Sequence, residues 1–262
     1  MRTVTVNRYV TPLREGGSMP AVVEGDDLGL YVLKFRGAGQ GVRAIMAEII
    51  AGGIARAIGL PVPEIVLAEL DPALAQTEPD PEIQDLIRAS AGLNVALDYL
   101  SGAVNFDPAV DQVPADFASA LVWFDALVGN VDRTARNTNL LMWHRKPWLI
   151  DHGAALTFHH SWSGTVAVPA KPFAPIAEHV LLAQADRLAA VDAELAERLS
   201  LETLEHILAE VPDSFLEQAG IDHPDGVLSH AAGHRRAYVE YLAARLAGRH
   251  AGWLKGVIDA RG

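Results

Sequence analysis

The polar stretch from residue 129 to 139 has the residue types and the spacing that phosphoryl transfer requires. Asp132 lies five residues before Asn137, and Asp151 follows an apolar run two residues before Gly153. In phosphotransferases the first Asp of such a set accepts a hydroxyl proton, and the Asn and second Asp hold magnesium. Carboxylate and amide oxygens are the donors that magnesium prefers. The spacing predicts Asp132 as the base and Asn137 and Asp151 as metal ligands. The alternative is an Asx-rich loop with capping aspartates.

Two charged residues lie within apolar patterns in the first fifty residues. Lys34 belongs to a predicted strand, on the same face as Leu30 and Val32. Glu48 lies in the inward stripe of a predicted helix, with Ile45, Ile49 and Gly52. Because a buried charge requires a partner, we predict the ion pair that positions ATP phosphates in kinases. The alternative places Lys34 on a solvated edge and extends Glu48 toward water.

Gly16, Gly17 and Ser18 lie between the first two predicted strands. Backbone amides without bulky side chains approach phosphate oxygens closely, so this hairpin is a candidate phosphate cover. A plain hairpin turn explains two glycines equally well.

A second glycine cluster, Gly37 to Gly41, follows a predicted strand and opens a predicted helix. It is not a dinucleotide-binding fingerprint, because position 42 is Val, and the chain contains no Gly-Lys dipeptide and hence no P-loop. We expect this loop to be structural or to face the site from the side.

His230 and His234 are four residues apart on a predicted helix and could hold a metal ion from one face. No third ligand is evident in the sequence, and position 231 is Ala rather than the Glu of a zinc-protease motif. The pattern therefore favours a solvated helix face.

The secondary-structure elements that would position these residues are predicted from the sequence pattern. Their order, with strands in the N-terminal part and helices in the C-terminal part, predicts an α+β protein. The pattern predicts short strands over 3–35, a helix over 42–58 ended by Gly59, and strands over 62–70 and 92–100. Residues 71–92 are predicted as a connection with one helical turn. Helical patterns resume at residue 116 and continue from 175 to the end.

Composition excludes several classes of protein. The 262 residues carry a formal net charge of −12, which disfavours general binding of nucleic acids or anionic membranes. There is no cysteine, so disulfides, thiolate metal sites and cysteine nucleophiles are excluded. No stretch approaches the ~20 apolar residues of a membrane span, and no signal core precedes the first strand. We expect a cytoplasmic protein.

The segments 31–41, 124–133 and 149–153 together resemble the HipA-like kinases. The Asp-Arg and Asp-x-Gly pattern is also similar to the phosphoinositide-kinase branch of the same superfamily. The resemblance covers about residues 10 to 160. It implies a bilobal protein-kinase-like fold, with a small β-rich N-lobe over 1–100 and a larger helical C-lobe over 101–262.

The resemblance implies transfer of the γ-phosphate of ATP, with Mg²⁺, to a Ser/Thr hydroxyl of a protein or of the chain itself. Lys34 would contact the α- and β-phosphates, and the family's hinge would bind adenine through the backbone of Asp98, Tyr99 and Leu100. Family members are switched off by phosphorylation of a serine in the glycine-rich loop, which here is Ser18. A small cognate regulator protein, as in a toxin–antitoxin-like pair, is a further implied partner.

Three positions depart from kinase patterns. Val131 replaces the Arg before the catalytic Asp, Thr134 replaces a His of lipid kinases, and His152 replaces the Phe of protein kinases. These departures leave nucleotide chemistry possible, but they weaken any inference of the substrate class from the kinases that the chain resembles. Two other hypotheses stay open: a non-catalytic, pseudokinase-like regulatory module, and a small-molecule phosphotransferase of the same fold.

Overall fold

The N-terminal strands close into a barrel in the computed structural model, which describes residues 1–13, 19–39, 41–160, 171–220 and 230–262. The hydrogen-bonded order is β1-β2-β3-β5-β4, formed by β1 (Thr3–Pro12), β2 (Ala21–Gly25), β3 (Leu30–Lys34), β4 (Ile65–Leu70) and β5 (Gly92–Asp98). Neighbours are antiparallel, except that β1 pairs with β4 in parallel. Alternate side chains, such as Val4, Val6, Tyr31 and Leu33, fill the interior, as the period-two pattern predicts.

Helices dominate the rest of the described chain. They are α1 (Val42–Ala57), α2 (Pro81–Ala89), α3 (Ala115–Val128), α4 (Leu188–Arg198), α5 (Leu201–Ala209), α6 (Asp213–Ala219), α7 (Ala231–Ala247) and α8 (Trp253–Arg261). Short 3-10 helices cover Pro72–Thr77, Thr157–His160, Ala174–Glu178, Leu182–Gln184 and Arg249–Ala251. A second, three-stranded sheet contains β6 (Val104–Asn105), β7 (Leu140–Trp143) and β8 (Lys146–Leu149).

Helix α1 joins β3 to β4 and is buried along most of its length. Gly59 follows it at a φ of 89°, a left-handed conformation that glycine adopts without steric cost, and this confirms the predicted helix end. A Cβ at Gly52 would collide with an isoleucine of β4, and one at Gly53 would lie 2.8 Å from an isoleucine of α5. The two glycines therefore let α1 pack closely against both the barrel and the C-terminal helices.

The connection between β4 and β5 contains more helix than the predicted single turn. Asp71 caps the 3-10 helix by accepting from the amide of Ala73, and Asp80 caps α2 by accepting from the amide of Glu82. A proline occupies the first turn of each helix, where its missing N–H costs nothing. The Pro- and acid-rich composition that suggested a loop is therefore the composition of two helix starts.

Two hydrophobic cores hold these elements. One fills the barrel interior and extends to α2. The other contains α1, the outward-facing Val95 and Leu97 of β5, and the helices from α3 onward. Helix α1 thus shares one core with the C-terminal helices although it is inserted between barrel strands.

Within the described ranges, no helix is both long enough and apolar enough to cross a bilayer.

Candidate active site

The loop that carries the predicted catalytic base begins where α3 ends. Gly129 takes a left-handed conformation, with φ at 64°, and the amide of Asn130 donates to the carbonyl of Asp125 over 2.9 Å. Glycine in this conformation commonly terminates helices and turns the chain away from the axis. Residues 130–139 therefore form a loop between α3 and β7.

Three buried side chains, Asp125, Arg133 and His179, fix this loop, and we call them the loop anchor. The Oδ2 atom of Asp125 accepts from Arg133 Nε at 2.6 Å and from His179 Nε2 at 2.9 Å. Its Oδ1 atom accepts from Asn130 Nδ2 at 3.0 Å. His179 Nδ1 accepts from the amide of Leu181, so that Nε2 is the ring nitrogen that donates to Asp125.

The loop anchor keeps a carboxylate charged inside the protein. Burial favours a raised pKa for Asp125, but the charge of Arg133 and the hydrogen bond from His179 outweigh it, so the pKa lies below its ordinary value. Arg133 Nη1 also donates to the carbonyls of Asn139 and Thr138. Sequence reasoning missed the anchor, although a lone Asp within the apolar run of α3 was a signal for it.

Asp132 and Asn137 meet as their spacing predicts. Asn137 Nδ2 donates to Asp132 Oδ2 at 2.9 Å, which leaves the Asn137 amide oxygen as a potential metal ligand. A residue not predicted for the site, Asn139, donates to the carbonyl of Asp132 at 2.8 Å and to its Oδ2 at 3.3 Å. Asn139 has a φ of 46°, a conformation that asparagine tolerates better than most residues. The two amides together orient the Asp132 carboxylate.

Asp151 lies two residues after β8 and has a φ of 55°. Left-handed backbone is uncommon for residues other than glycine, and such strain is concentrated at functional sites. The amide of Ile150 donates to the carbonyl of Asn139 at 3.1 Å, which ties this segment to the end of the loop that holds Asp132. The side chain of Asp151 is 37% exposed.

Lys34 faces Asp151 across the site. Strand register places Lys34 opposite Val95, on the outer face of the barrel that packs toward α1. Its Nζ lies 2.9 Å from Asp151 Oδ1. Burial lowers the pKa of Lys34, but the negative charges of Glu48, Asp151 and Asp132 together raise it above its ordinary value. Lys34 is therefore an ammonium group kept charged by the surrounding carboxylates, and it is not the solvated residue of the alternative hypothesis.

Glu48 is buried in α1, as predicted, but its direct partner differs from the prediction. Its Oε2 accepts from the amide of His152 at 2.9 Å, and its Oε1 lies 3.0 Å from His152 Nδ1. Burial raises the pKa of Glu48, and the charge of Lys34 and the bonds from His152 more than reverse this, so the pKa is lowered. The predicted pairing of Lys34 with Glu48 is present as a charge interaction, since each residue shifts the pKa of the other, while the close ion pair of Lys34 at 2.9 Å is with Asp151.

The predicted hinge lies at the end of β5. The amide of Asp98 donates to the carbonyl of Glu64, and the amide of Tyr99 donates to that of Leu30, both at 2.9 Å. Burial and the nearby charge of Glu64 raise the pKa of Asp98. Leu100 is buried. These contacts fix the backbone of the segment, and its role in binding adenine stays a prediction.

The two glycine clusters differ in what the structure describes. Gly16, Gly17 and Ser18 lie outside the described residues, so their predicted roles stay predictions. The loop after β3 is anchored at Gly37, whose amide donates to Ser90 Oγ at 3.0 Å. A Cβ at Gly37 would lie 2.9 Å from both Ala89 and Ser90 side chains. This part of the loop is packed against the end of α2, in agreement with a structural role.

Lys34, Glu48, Asp132 and Asp151 form what we call the site cluster. One ammonium group faces three carboxyl groups in it, a formal surplus of two negative charges. Within the described residues, no group of three or more His, Cys, Asp or Glu side chains is arranged to hold a metal ion by itself. Magnesium, however, is commonly held by one or two carboxylates together with substrate phosphates and water. The charge and the oxygen donors of Asp151 and Asn137 fit such an ion.

Two further features lie apart from the site cluster. A cavity of about 700 Å³ is lined by residues of α1, β4, α5 and the N-terminus. His234 is buried, with its Nδ1 2.9 Å from the carbonyl of Leu216. The predicted solvated helix face is therefore wrong at His234, which lies on the side of α7 that packs against α6.

Comparison with known proteins assigns the fold. The HipA-like kinase family model matches residues 6–226. The crystal structure of the Helicobacter pylori proinflammatory kinase CtkA is similar, with a TM-score of 0.53 and 12% identity, over 94% of this chain and 98% of that one. The Golgi casein kinase with Mn/ADP bound is similar with a TM-score of 0.52 and 12% identity, over 100% of this chain and 75% of that one. No curated protein matches the sequence.

The structural likenesses, at this identity, show a kinase-like fold that mixes strands and helices. The family match extends over most of the chain, from β1 to beyond α6, and includes all four residues of the site cluster. The chain therefore belongs to the HipA-like kinase family and has the fold of a kinase-like phosphotransferase.

Proposed function

We propose that this protein transfers the γ-phosphate of ATP to a Ser/Thr hydroxyl of a protein, or of the chain itself, with Mg²⁺. The observation that carries the proposal is the convergence of Lys34 with Asp132 and Asp151, which come from two distant parts of the sequence. The structurally similar Golgi casein kinase was crystallised with Mn and ADP, which supports the use of a nucleotide and a divalent ion.

In this mechanism the acceptor oxygen forms a bond to the γ-phosphorus while the bond from that phosphorus to the β–γ bridging oxygen breaks, releasing ADP. Asp132 accepts the hydroxyl proton through its carboxylate, which Asn137 and Asn139 hold in place. Lys34 binds the α- and β-phosphates as a charged ammonium. A magnesium ion on Asn137 and Asp151 would neutralise charge that develops on the phosphate oxygens.

Positioning accounts for most of the rate in such a reaction, because little covalent chemistry is required of the protein. The loop anchor serves this purpose by fixing the residues on either side of Asp132. Removal of a positioned proton acceptor typically lowers a rate by about a hundredfold to ten-thousandfold.

The test is incorporation of label from γ-³²P-ATP with Mg²⁺, by the chain alone and with casein as a model acceptor. Wild type is compared with Asp132→Asn and Asp151→Asn, and Asp85→Asn serves as a matched control because Asp85 is exposed on α2. We expect label with wild type and the control and at least a hundredfold less with the two site variants.

Each other outcome identifies a different function. ATP binding without transfer by any form supports the regulatory module. Turnover of ATP with a small-molecule acceptor, and none with protein, supports the small-molecule phosphotransferase. Equal labelling of all four forms contradicts the roles assigned to Asp132 and Asp151. Mass mapping of a self-labelled chain tests Ser18, and label confined to other residues removes that prediction.

A further inference from the structure

His152 is a fully buried residue that the proposed catalytic roles leave unexplained. It lies between Asp151 and Gly153, at the position where protein kinases have Phe. A buried imidazole nitrogen is costly without a hydrogen-bond partner, and within the described residues Nδ1 of this ring has one whereas Nε2 has none. The contacts of this ring therefore indicate why the position is polar.

The ring makes one of two bonds by which His152 holds Glu48. Its amide donates to Oε2 at 2.9 Å, and its Nδ1 lies 3.0 Å from Oε1. Because a carboxylate only accepts, Nδ1 must carry the proton in this contact. The amide bond is available to any residue except proline at this position, whereas the ring bond requires a side-chain donor, which Phe lacks.

Glu48 depends on these bonds because it is 1% exposed. In the described part of the chain, both hydrogen bonds that it accepts come from His152. Lys34 compensates its charge from a greater distance, while pairing directly with Asp151. His152 thus sets where the Glu48 carboxylate lies relative to the lysine.

The ring of His152 also contacts the core of the helical region. Its edge packs on Phe124 of α3, with the ring centres 5.9 Å apart and the planes at 78°. Phe124 precedes Asp125, the central residue of the loop anchor. His152 therefore connects α1, which carries Glu48, to α3, which supports the loop of Asp132.

We infer that His152 is a positioning residue for nucleotide binding: its imidazole orients Glu48, and the charge of Glu48 helps to keep the Lys34 ammonium where the ATP phosphates bind. This inference rests on the proposed function. It gives the side chain of the central residue in Asp-His-Gly a polar role that a phenylalanine cannot perform.

The experiment compares His152→Phe with His152→Asn. Phenylalanine keeps a ring against Phe124 but offers no donor, whereas asparagine loses the ring and places an amide N–H near the position of Nδ1. Affinity for ATP with Mg²⁺ is measured by calorimetry, and KM for ATP and for casein are measured separately. Thermal unfolding of each variant is recorded as a control for folding.

We expect His152→Phe to weaken ATP binding and raise the KM for ATP by about tenfold to a hundredfold, as for loss of a hydrogen bond to a charged group. The KM for casein should stay within about threefold of wild type. His152→Asn should recover most of the ATP affinity, despite the larger loss of packing.

Equal losses in both variants would show that a side-chain donor at this position does not restore ATP binding, and unchanged ATP affinity in His152→Phe would show that the ring bond to Glu48 has no role. Either result overturns the inference while wild-type transfer still supports the kinase function. If wild type neither binds ATP nor transfers phosphate, the proposed function fails first and the inference fails with it.

Discussion

The loop anchor and the site cluster are both groups of charged side chains, but their charges are compensated in different ways. In the anchor, one carboxylate is matched by one guanidinium and accepts a further hydrogen bond from an imidazole, and the side chains of Asp125 and Arg133 are both 0% exposed. In the site cluster, one ammonium faces three carboxyl groups, and Asp151 is 37% exposed. The charges of the anchor are compensated within the protein, whereas the site cluster carries a surplus of negative charge.

This difference separates the role of holding the fold from the role of binding a ligand. A buried and balanced group loses much when one member is removed, because the remaining charge stays unpaired. In a cluster with surplus negative charge, removal of a partly exposed carboxylate such as Asp151 costs little stability, since water screens that charge and the surplus becomes smaller. The surplus negative charge instead favours the binding of a cation together with the nucleotide phosphates.

The strongest test of the comparison is Asp125→Ala. We expect a loss of about 3–5 kcal/mol in the free energy of unfolding, because Arg133 would remain buried without its carboxylate. Urea unfolding followed by circular dichroism measures it. Asp85→Ala, at an exposed position of α2, is the control and should change stability by less than about 0.5 kcal/mol. A loss below about 1 kcal/mol at Asp125 would mean that the anchor is not the structural group described.

An intermediate effect, on the dependence of stability on pH, is expected at His159. This residue is buried and has no carboxylate partner in its described contacts. Burial first, and then the charges of His160 and Arg43, lower its pKa to about 3. Between pH 6.5 and 3 the unfolded chain binds a proton that the folded chain does not, so stability decreases as pH falls. The slope is at most about 1.4 kcal/mol per pH unit.

Urea unfolding at pH 7.5, 6.5 and 5.5 checks this slope in wild type and His159→Gln. The variant should show a flatter dependence on pH than wild type. His206→Gln, at an exposed position of α5, should leave the wild-type slope unchanged. Parallel curves for wild type and His159→Gln would show that His159 is not the group that titrates.

The smallest stability effect is expected for Asp151→Asn in the site cluster. Asparagine tolerates the left-handed backbone of this position, and removing one carboxyl group reduces the surplus of negative charge. The free energy of unfolding should therefore stay within about 1 kcal/mol of wild type, while phosphotransfer is lost. A destabilisation as large as that of Asp125→Ala would erase the distinction between the two groups.

Local patterns in the sequence predicted the elements that present the site. The alternation around Lys34 predicted β3 and the face of the lysine, and Gly59 predicted the end of α1. The prediction for residues 71–92 is too irregular because a Pro- and acid-rich composition is typical of loops and also of helix starts, where an Asx cap such as Asp80 precedes Pro81. At His234, spacing alone could not distinguish a solvated face from a buried one.

The sequence by itself determined the residue types and local spacing of the site: Asp132 and Asn137 five residues apart, Asp151 before Gly153, and the two buried charges of β3 and α1. Only the tertiary structure decided the partners, pairing Lys34 with Asp151 and Glu48 with His152, 104 residues away. The reason is physical. Periodicity and capping depend on neighbours within a few residues, whereas the choice among competing carboxylates depends on distances that packing alone sets.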